Sequence, residues 1–287
     1  MKVFLCIFAF VLMGFAKCEL IQKPSDDVNS VDFAPTQISY SDGQILDIID
    51  TKTTKILAQL DVKSDKINKI KFNGSNLIIG LDNGYALQMD PKGNKKILIN
   101  PAKTGIISGV TSINLAKDRI IFTLGNNNLI IYDTINNIYK VSNLAINSKI
   151  TATLVQDNSL YIASFDRTIY KLDLATLELS QIMKTPNLPT ALERINGELI
   201  IGLIDGNLIY KNKIHRISKK QISTIKINNQ NIYIGDWGSN LYIYDSNLNL
   251  KNSTKIGYDA ILDMFINTNS QIILWNRAIF SCDFGIE

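Results

Sequence analysis

Apolar residues along this chain come in short runs rich in Ile, Leu and Tyr, broken by tight clusters of Asp, Asn and Gly. The run Asn76–Leu81 meets the turn Asp82-Asn83-Gly84 and continues into Tyr85–Asp90. The same grammar recurs at Glu198–Leu203 with Asp205-Gly206, and at Asn231–Asp236 with Trp237-Gly238-Ser239. It recurs again at Asp118–Leu124 with Gly125–Asn128, and at Ser159–Ser164 with Phe165–Thr168. Weaker copies lie at Gln37–Asp50, turning at Asp42-Gly43, and at Gln271–Asp283, turning at Asn276-Arg277. Each copy reads as two strands and a hairpin, because Gly and Asn tolerate the positive φ that tight turns require. An aspartate closes the second strand of most copies: Asp50, Asp90, Asp133, Asp173, Asp245 and Asp283. Its expected role is a turn in which the side chain bonds its own backbone.

Further strands flank the hairpins. Upstream are Ile67–Phe72, Val110–Leu115, Ile150–Val155, Thr190–Ile195, Ile222–Ile227 and Ile261–Ile266. More polar strands follow downstream, such as Lys55–Leu60, Lys95–Ile99 and Leu250–Lys255. Hairpin centres near 38, 78, 121, 160, 200, 232 and 273 set a period of about forty residues. No stretch holds a helical period across three turns. The expected fold is therefore all-β: a β-propeller of seven four-stranded blades, six if the first unit pairs differently. A ring of twisted sheets lets each blade cover both faces on its neighbours. The last unit lacks sequence for an outer strand, and residues before Thr36, such as Val31–Ala34, are expected to supply it.

The first residues read differently. Lys2 precedes an apolar run, Val3–Phe15, and Gly14-Phe15-Ala16 supplies the small-x-small pattern of a cleavage site. Residues 1–16 are expected to be a secretory signal peptide, residues 17–30 a lead-in, and residues 31–287 a single propeller domain. An uncleaved anchor and a lipid-modified Cys18 are the alternatives, although Lys17 departs from the small residue that lipoprotein processing prefers. Export to the periplasm would leave Cys18 and Cys282 near opposite ends of the mature chain. There they either pair in an oxidising compartment or remain separate thiols.

Composition narrows the chemistry. The chain has 287 residues, a formal charge of +4 and 46% hydrophobic residues, enough for a large core but not for a nucleic-acid footprint. A single histidine, His215, and the absence of Cys-x-x-Cys argue against histidine-rich metal sites, zinc ribbons and iron–sulfur clusters. His215 lies in the basic stretch 211–216, on an expected outer strand, a poor place for an oriented catalytic base. Lys211, Lys213, Arg216, Lys219 and Lys220 are the densest basic cluster, suited to protecting an outer edge from pairing or to docking an anionic surface. The turns between second and third strands would share one rim. On it Trp237, Arg167 and Arg277 are the candidate partner contacts, since Trp and Arg are enriched in interface hot spots. No catalytic residue, cofactor or metal ligand is expected.

The units resemble divergent WD40-type or quinoprotein-like blades over residues 31–284. Tyr132-Asp133 and Tyr244-Asp245 stand where Trp-Asp pairs would, and the Gly-His pair is absent. In size, export signal and Lys/Asn/Ile-rich blades the chain is also similar to the NapL-type accessory propellers encoded with periplasmic nitrate reductase. That resemblance implies a non-catalytic role supporting the nitrate reductase subunits or their maturation factors. Two readings stay open beside it: a propeller hydrolase or lactonase with a metal in the central channel, and an outer-membrane assembly scaffold resembling BamB.

Overall fold

The computed structural model describes residues 17–24, 28–63, 65–267, 272–275 and 277–283. The expected signal peptide, residues 1–16, lies outside them, as do Gln271 and Asn276 of the last hairpin. The chain forms seven four-stranded antiparallel sheets in sequence order around a ring, a seven-bladed β-propeller. The inner strands are Val28–Ala34, Ile67–Asn73, Val110–Ala116, Ile150–Gln156, Pro189–Ile195, Ile222–Asn228 and Asp263–Ile266, numbered here as blades 1 to 7. The one helix among the described residues is a single turn, Pro101–Thr104, started by Asn100 as N-cap and Pro at its first position and ended by Gly105 at φ 71°.

The apolar runs are continuous because the middle strands are covered on both faces. In the second strand of blade 3, Ile120 and Phe122 pack toward blade 2, while Ile121 between them packs toward blade 4. Side chains alternate faces along a strand, so two buried faces demand an uninterrupted apolar run. Seven buried clusters result, one at each junction between neighbouring blades. The last of them joins Ile273 and Ile279 of blade 7 to Val31, Ile38 and Ile49 of blade 1 and closes the ring.

The repeated glycine of the Ile-Gly motif has a packing cause. A Cβ on Gly80 would lie 2.5 Å from Val110 Cγ1, one on Gly202 2.5 Å from Ile222 Cγ2, and one on Gly235 2.7 Å from Ile261 Cγ2. In each case a β-branched residue at or just before the start of the next blade's inner strand sits directly on the glycine backbone. Hydroxyls also stitch junctions between blades. Thr151 donates to Pro189 O at 2.7 Å, Thr190 to Ile222 O at 2.6 Å, and Ser223 to Ile261 O.

Ring closure differs from the expectation. Val31–Ala34 belongs to the inner strand of blade 1, paired with Gln37–Tyr40. The outer strand of blade 7 is Lys17–Gln22, antiparallel to Ile279–Asp283. The lead-in is thus part of the ring, and Val31–Ala34 is unavailable because its apolar side chains are needed in the blade 7–blade 1 cluster. Cys18 sits opposite Cys282 in this pairing, and the two are joined by a disulfide. A sulfur so bonded cannot also carry a lipid.

Candidate functional site: the channel and the upper rim

Antiparallel blades put the turns between second and third strands, and the loops that lead to the next blade, on one rim, here called upper. Backbone bonds tie the two kinds of connection together, as in Ile67 N to Gly43 O at 2.9 Å and Trp237 N to Gln221 O at 3.0 Å. The lower rim holds the remaining turns. There Asp50, Asp90, Asp133, Asp173 and Asp245 each accept two backbone N–H bonds from the following residues, for example Thr53 N to Asp50 Oδ1 at 2.6 Å. The side-chain amides of Asn94 and Asn249 at Asp90 and Asp245, and the backbone bonds at all five, favour the ionised form and hold these carboxyls below their ordinary range. The recurring aspartates are turn formers.

Trp237, Arg167 and Arg277 all lie on the upper rim, in blades 6, 4 and 7. Trp237 is 55% exposed at its hairpin tip. Beneath it the buried Asp236 accepts from Gly238 N and Asn240 N, both at 2.8 Å, which fixes the turn that presents the indole. Arg167 is exposed with φ 64°, and Thr185 anchors its carbonyl through N at 2.8 Å. Arg277 reaches toward Asp259, with Nε 3.8 Å from Oδ1.

The tryptophan is not alone. Ile107, Phe165, Ile204, Tyr258 and Leu262 are exposed on the same rim, Tyr258 at 94% and Ile107 at 82%. On the lower rim, Ile135 is the exposed large hydrophobic found in a turn among the described residues. Sequence reasoning singled out Trp237 and missed these five. The available signal was apolar residues inside otherwise polar turns, as in Phe165-Asp166-Arg167.

The basic cluster does not survive folding as a unit. Lys211 and Asn212 form a lower turn, Lys213–Arg216 is the outer strand of blade 5, and Lys219 and Lys220 stand on the upper rim. His215 is half-buried on that outer strand and pairs across to Leu208.

The central channel encloses about 520 Å³ and is lined by the inner strands. Three lysines and three carboxylates enter it: Lys69, Lys71, Lys226, Asp32, Glu193 and Asp263. Lys71 Nζ lies 2.6 Å from Asp32 Oδ1, and Phe72 N donates to Asp32 Oδ2 at 2.6 Å. Lys226 Nζ lies 3.0 Å from Asp263 Oδ1. Burial nevertheless pushes Asp32 upward, against Lys71. At Asp263 burial pushes up but Lys226 and Lys71 outweigh it, leaving the carboxyl low, and Asp263 holds Lys226 above its ordinary value. Burial raises Glu193 and lowers Lys69. The two aspartates are thus occupied by lysines. Among the described residues no group of three or more His, Cys, Asp or Glu is placed to hold a metal ion. Among them, too, no helix is long and apolar enough to cross a membrane.

No family model matches the sequence, and no curated protein is similar to it. Among solved structures the chain is similar to the crystal structure of the computationally designed Ika8 protein, with a TM-score of 0.68 over 89% of this chain and 95% of that one. Identity between the two is 13%, so the likeness is one of fold.

Proposed function

We propose that this protein is an exported, non-catalytic propeller whose upper rim docks a partner protein. The observation that carries this reading is the exposed apolar set in the connections of one rim, Ile107, Phe165, Ile204, Trp237, Tyr258 and Leu262, where the described turns of the lower rim expose only Ile135. The other exposed apolar residues, such as Ile56, Ile97 and Leu250, lie mostly on outer strands. Exposed apolar surface concentrated on one face marks interaction sites, and aromatic anchors dominate binding energy in them. The propeller is a rigid support for such a face because every blade is held by two neighbours. The Cys18–Cys282 disulfide supports export, since disulfides persist in oxidising compartments.

The partner we propose is a subunit or maturation factor of periplasmic nitrate reductase. That finer reading rests on the resemblance in size, export signal and blade pattern to the NapL-type accessory propellers. Affinity capture from periplasm with the wild-type chain, and with the Phe165→Ala/Trp237→Ala double variant, tests it. Nitrate reductase components should be enriched by the wild type and lost with the variant, and a deletion strain should reduce nitrate more slowly. Normal nitrate reduction in the deletion strain, with no such components captured, would exclude the nitrate reductase reading. Capture of a different periplasmic protein that depends on the same two residues would keep the rim and replace the partner.

A further inference from the structure

The fold treats its three channel lysines unequally. Lys71 and Lys226 each meet an aspartate, at 2.6 and 3.0 Å. Lys69, on the inner strand of blade 2, makes no hydrogen bond or close ion pair among the described residues, and only the field of Asp263 reaches it. It lines two cavities at once: the central channel, and a second pocket of about 300 Å³ opening toward the upper rim between blades 2, 3 and 4.

The walls of that second pocket carry one sign of charge. Its ionisable residues are Lys69 and Lys149, both lysines, and its other polar residues include Asn68, Thr111 and Asn127. Lys149, exposed in the loop entering blade 4, also lacks a side-chain partner among the described residues. Asp82 lies outside the lining and accepts from Asn68 Nδ2 at 2.9 Å. The Asn127 amide is spent on Ile146 O at 2.8 Å and Ser148 O at 2.9 Å, which holds the loop bearing Lys149 over blade 3. These bonds make the pocket a preformed feature of the fold.

An ammonium withdrawn from water without a counter-charge is unfavourable, and folded proteins normally pair such groups. Burial drives Lys69 below its ordinary value, and the Asp263 carboxylate, which acts on it without pairing, offsets this only in part. A bound anion would remove the penalty, whereas a cation would be repelled by both lysines. Two ammonium groups match a divalent charge. A pocket near the lower end of the usual ~300–1,000 Å³ range for ligand sites matches a small molecule.

We propose that this pocket is a binding site for a small divalent oxyanion, phosphate-like in charge and size, held between Lys69 and Lys149. The site opens on the rim proposed for docking, where Phe165 N donates to Lys149 O at 2.8 Å, but its test reads anion binding on the chain alone and so stands apart from the docking test. It is built from side chains of blades 2 and 3 and the loop into blade 4, away from Trp237.

Calorimetric titration of the full chain with inorganic phosphate, and separately with sulfate, at fixed ionic strength in chloride, tests the assignment. Both anions should bind saturably at one competitive site. Lys69→Met and Lys149→Met should each weaken binding by about tenfold or more, the loss expected for one charge-assisted contact. Lys69→Arg should retain binding, and Lys220→Met, an exposed lysine on the same rim, should leave it unchanged. Circular dichroism establishes that each variant is folded, and Lys149→Met, at an exposed position, carries the test if Lys69→Met is not. Absence of saturable binding of either anion over chloride would overturn the proposal. So would unchanged affinity in the folded Lys149→Met variant.

Discussion

Cys18 and Cys282 face each other across neighbouring strands although 264 residues separate them in the chain. Nearly the whole propeller lies between the two sulfurs, so the bond converts a ring held by strand pairing into a covalently closed one.

Removing that bond should therefore lower stability strongly. In the chain-entropy model so long a loop is worth about 5 kcal/mol, the upper end of what disulfides deliver. Urea unfolding of the Cys18→Ser/Cys282→Ser variant should show a midpoint well below that of the oxidised wild type. Protease should also cut first near residues 17–22, once they are held by hydrogen bonds alone. Equal midpoints would mean that strand pairing suffices.

Gly80, Gly202 and Gly235 should resist substitution even though their backbones do not need glycine's freedom. Gly80→Ala places a Cβ against Val110 at 2.5 Å, where the neighbouring blade cannot retreat without opening its own junction. The expected loss is about 1–3 kcal/mol, the range for overpacking a filled core. Gly74→Ala, with nothing within 4 Å of the new Cβ but a φ of +63°, separates backbone strain from steric overlap. Thermal melts should show the Gly80 variant destabilised with folding otherwise intact.

Breaking the inter-blade pair at Asp32 should loosen the junction of blades 1 and 2. Its carboxylate satisfies both Lys71 Nζ and Phe72 N, so Asp32→Ala strands an ammonium and a backbone donor. Lys71 retains 39% side-chain exposure, which places the loss below that of a fully buried pair, at about 1–3 kcal/mol. Hydrogen exchange should report faster opening of the inner strands of blades 1 and 2 than of blades 4 and 5.

Acid should weaken the lower rim. The carboxyls of Asp50, Asp90, Asp133, Asp173 and Asp245 sit below their ordinary value of 3.8 when folded. Their stabilisation is complete above that value and is lost as pH falls through the lower folded values. Denaturation midpoints should drop below about pH 4 for this reason, and Asp50→Asn together with Asp245→Asn should flatten the drop. Asp32 and Glu193 act the opposite way. Burial raises both, so their ionisation above the ordinary carboxyl range subtracts stability as pH rises through their folded values.

Trp237→Ala should separate docking from folding. The indole is mostly in water, so the midpoint should move by no more than about 0.5 kcal/mol. Partner capture should fall, and fall further with Phe165→Ala. A large stability change would instead assign Trp237 to the fold.

Much of this molecule was legible in one dimension. The repeated strand, turn and strand were visible because hairpins are local: Gly43 and Gly84 adopt positive φ in their turns, and Asp245 bonds Asn247 N and Asn249 N within four residues. Apolar runs such as Ile120–Phe122 announced strands covered on both faces. The polar positions of the inner strands were present but silent, because Asp32, Lys69, Glu193 and Lys226 look like ordinary surface alternation until a ring turns that face into a channel.

The sequence alone determined the strands, the turn chemistry and a period that only a ring of sheets can bury, since each depends on residues within about forty positions of one another. Tertiary structure alone decided that Lys17–Gln22 rather than Val31–Ala34 completes blade 7. It also decided that the basic stretch 211–220 divides between two rims, and that Lys69 is left without the carboxylate its two neighbours have. These outcomes depend on contacts between distant parts of the chain, set by which blade faces which, and such pairings leave no periodic trace in the order of residues.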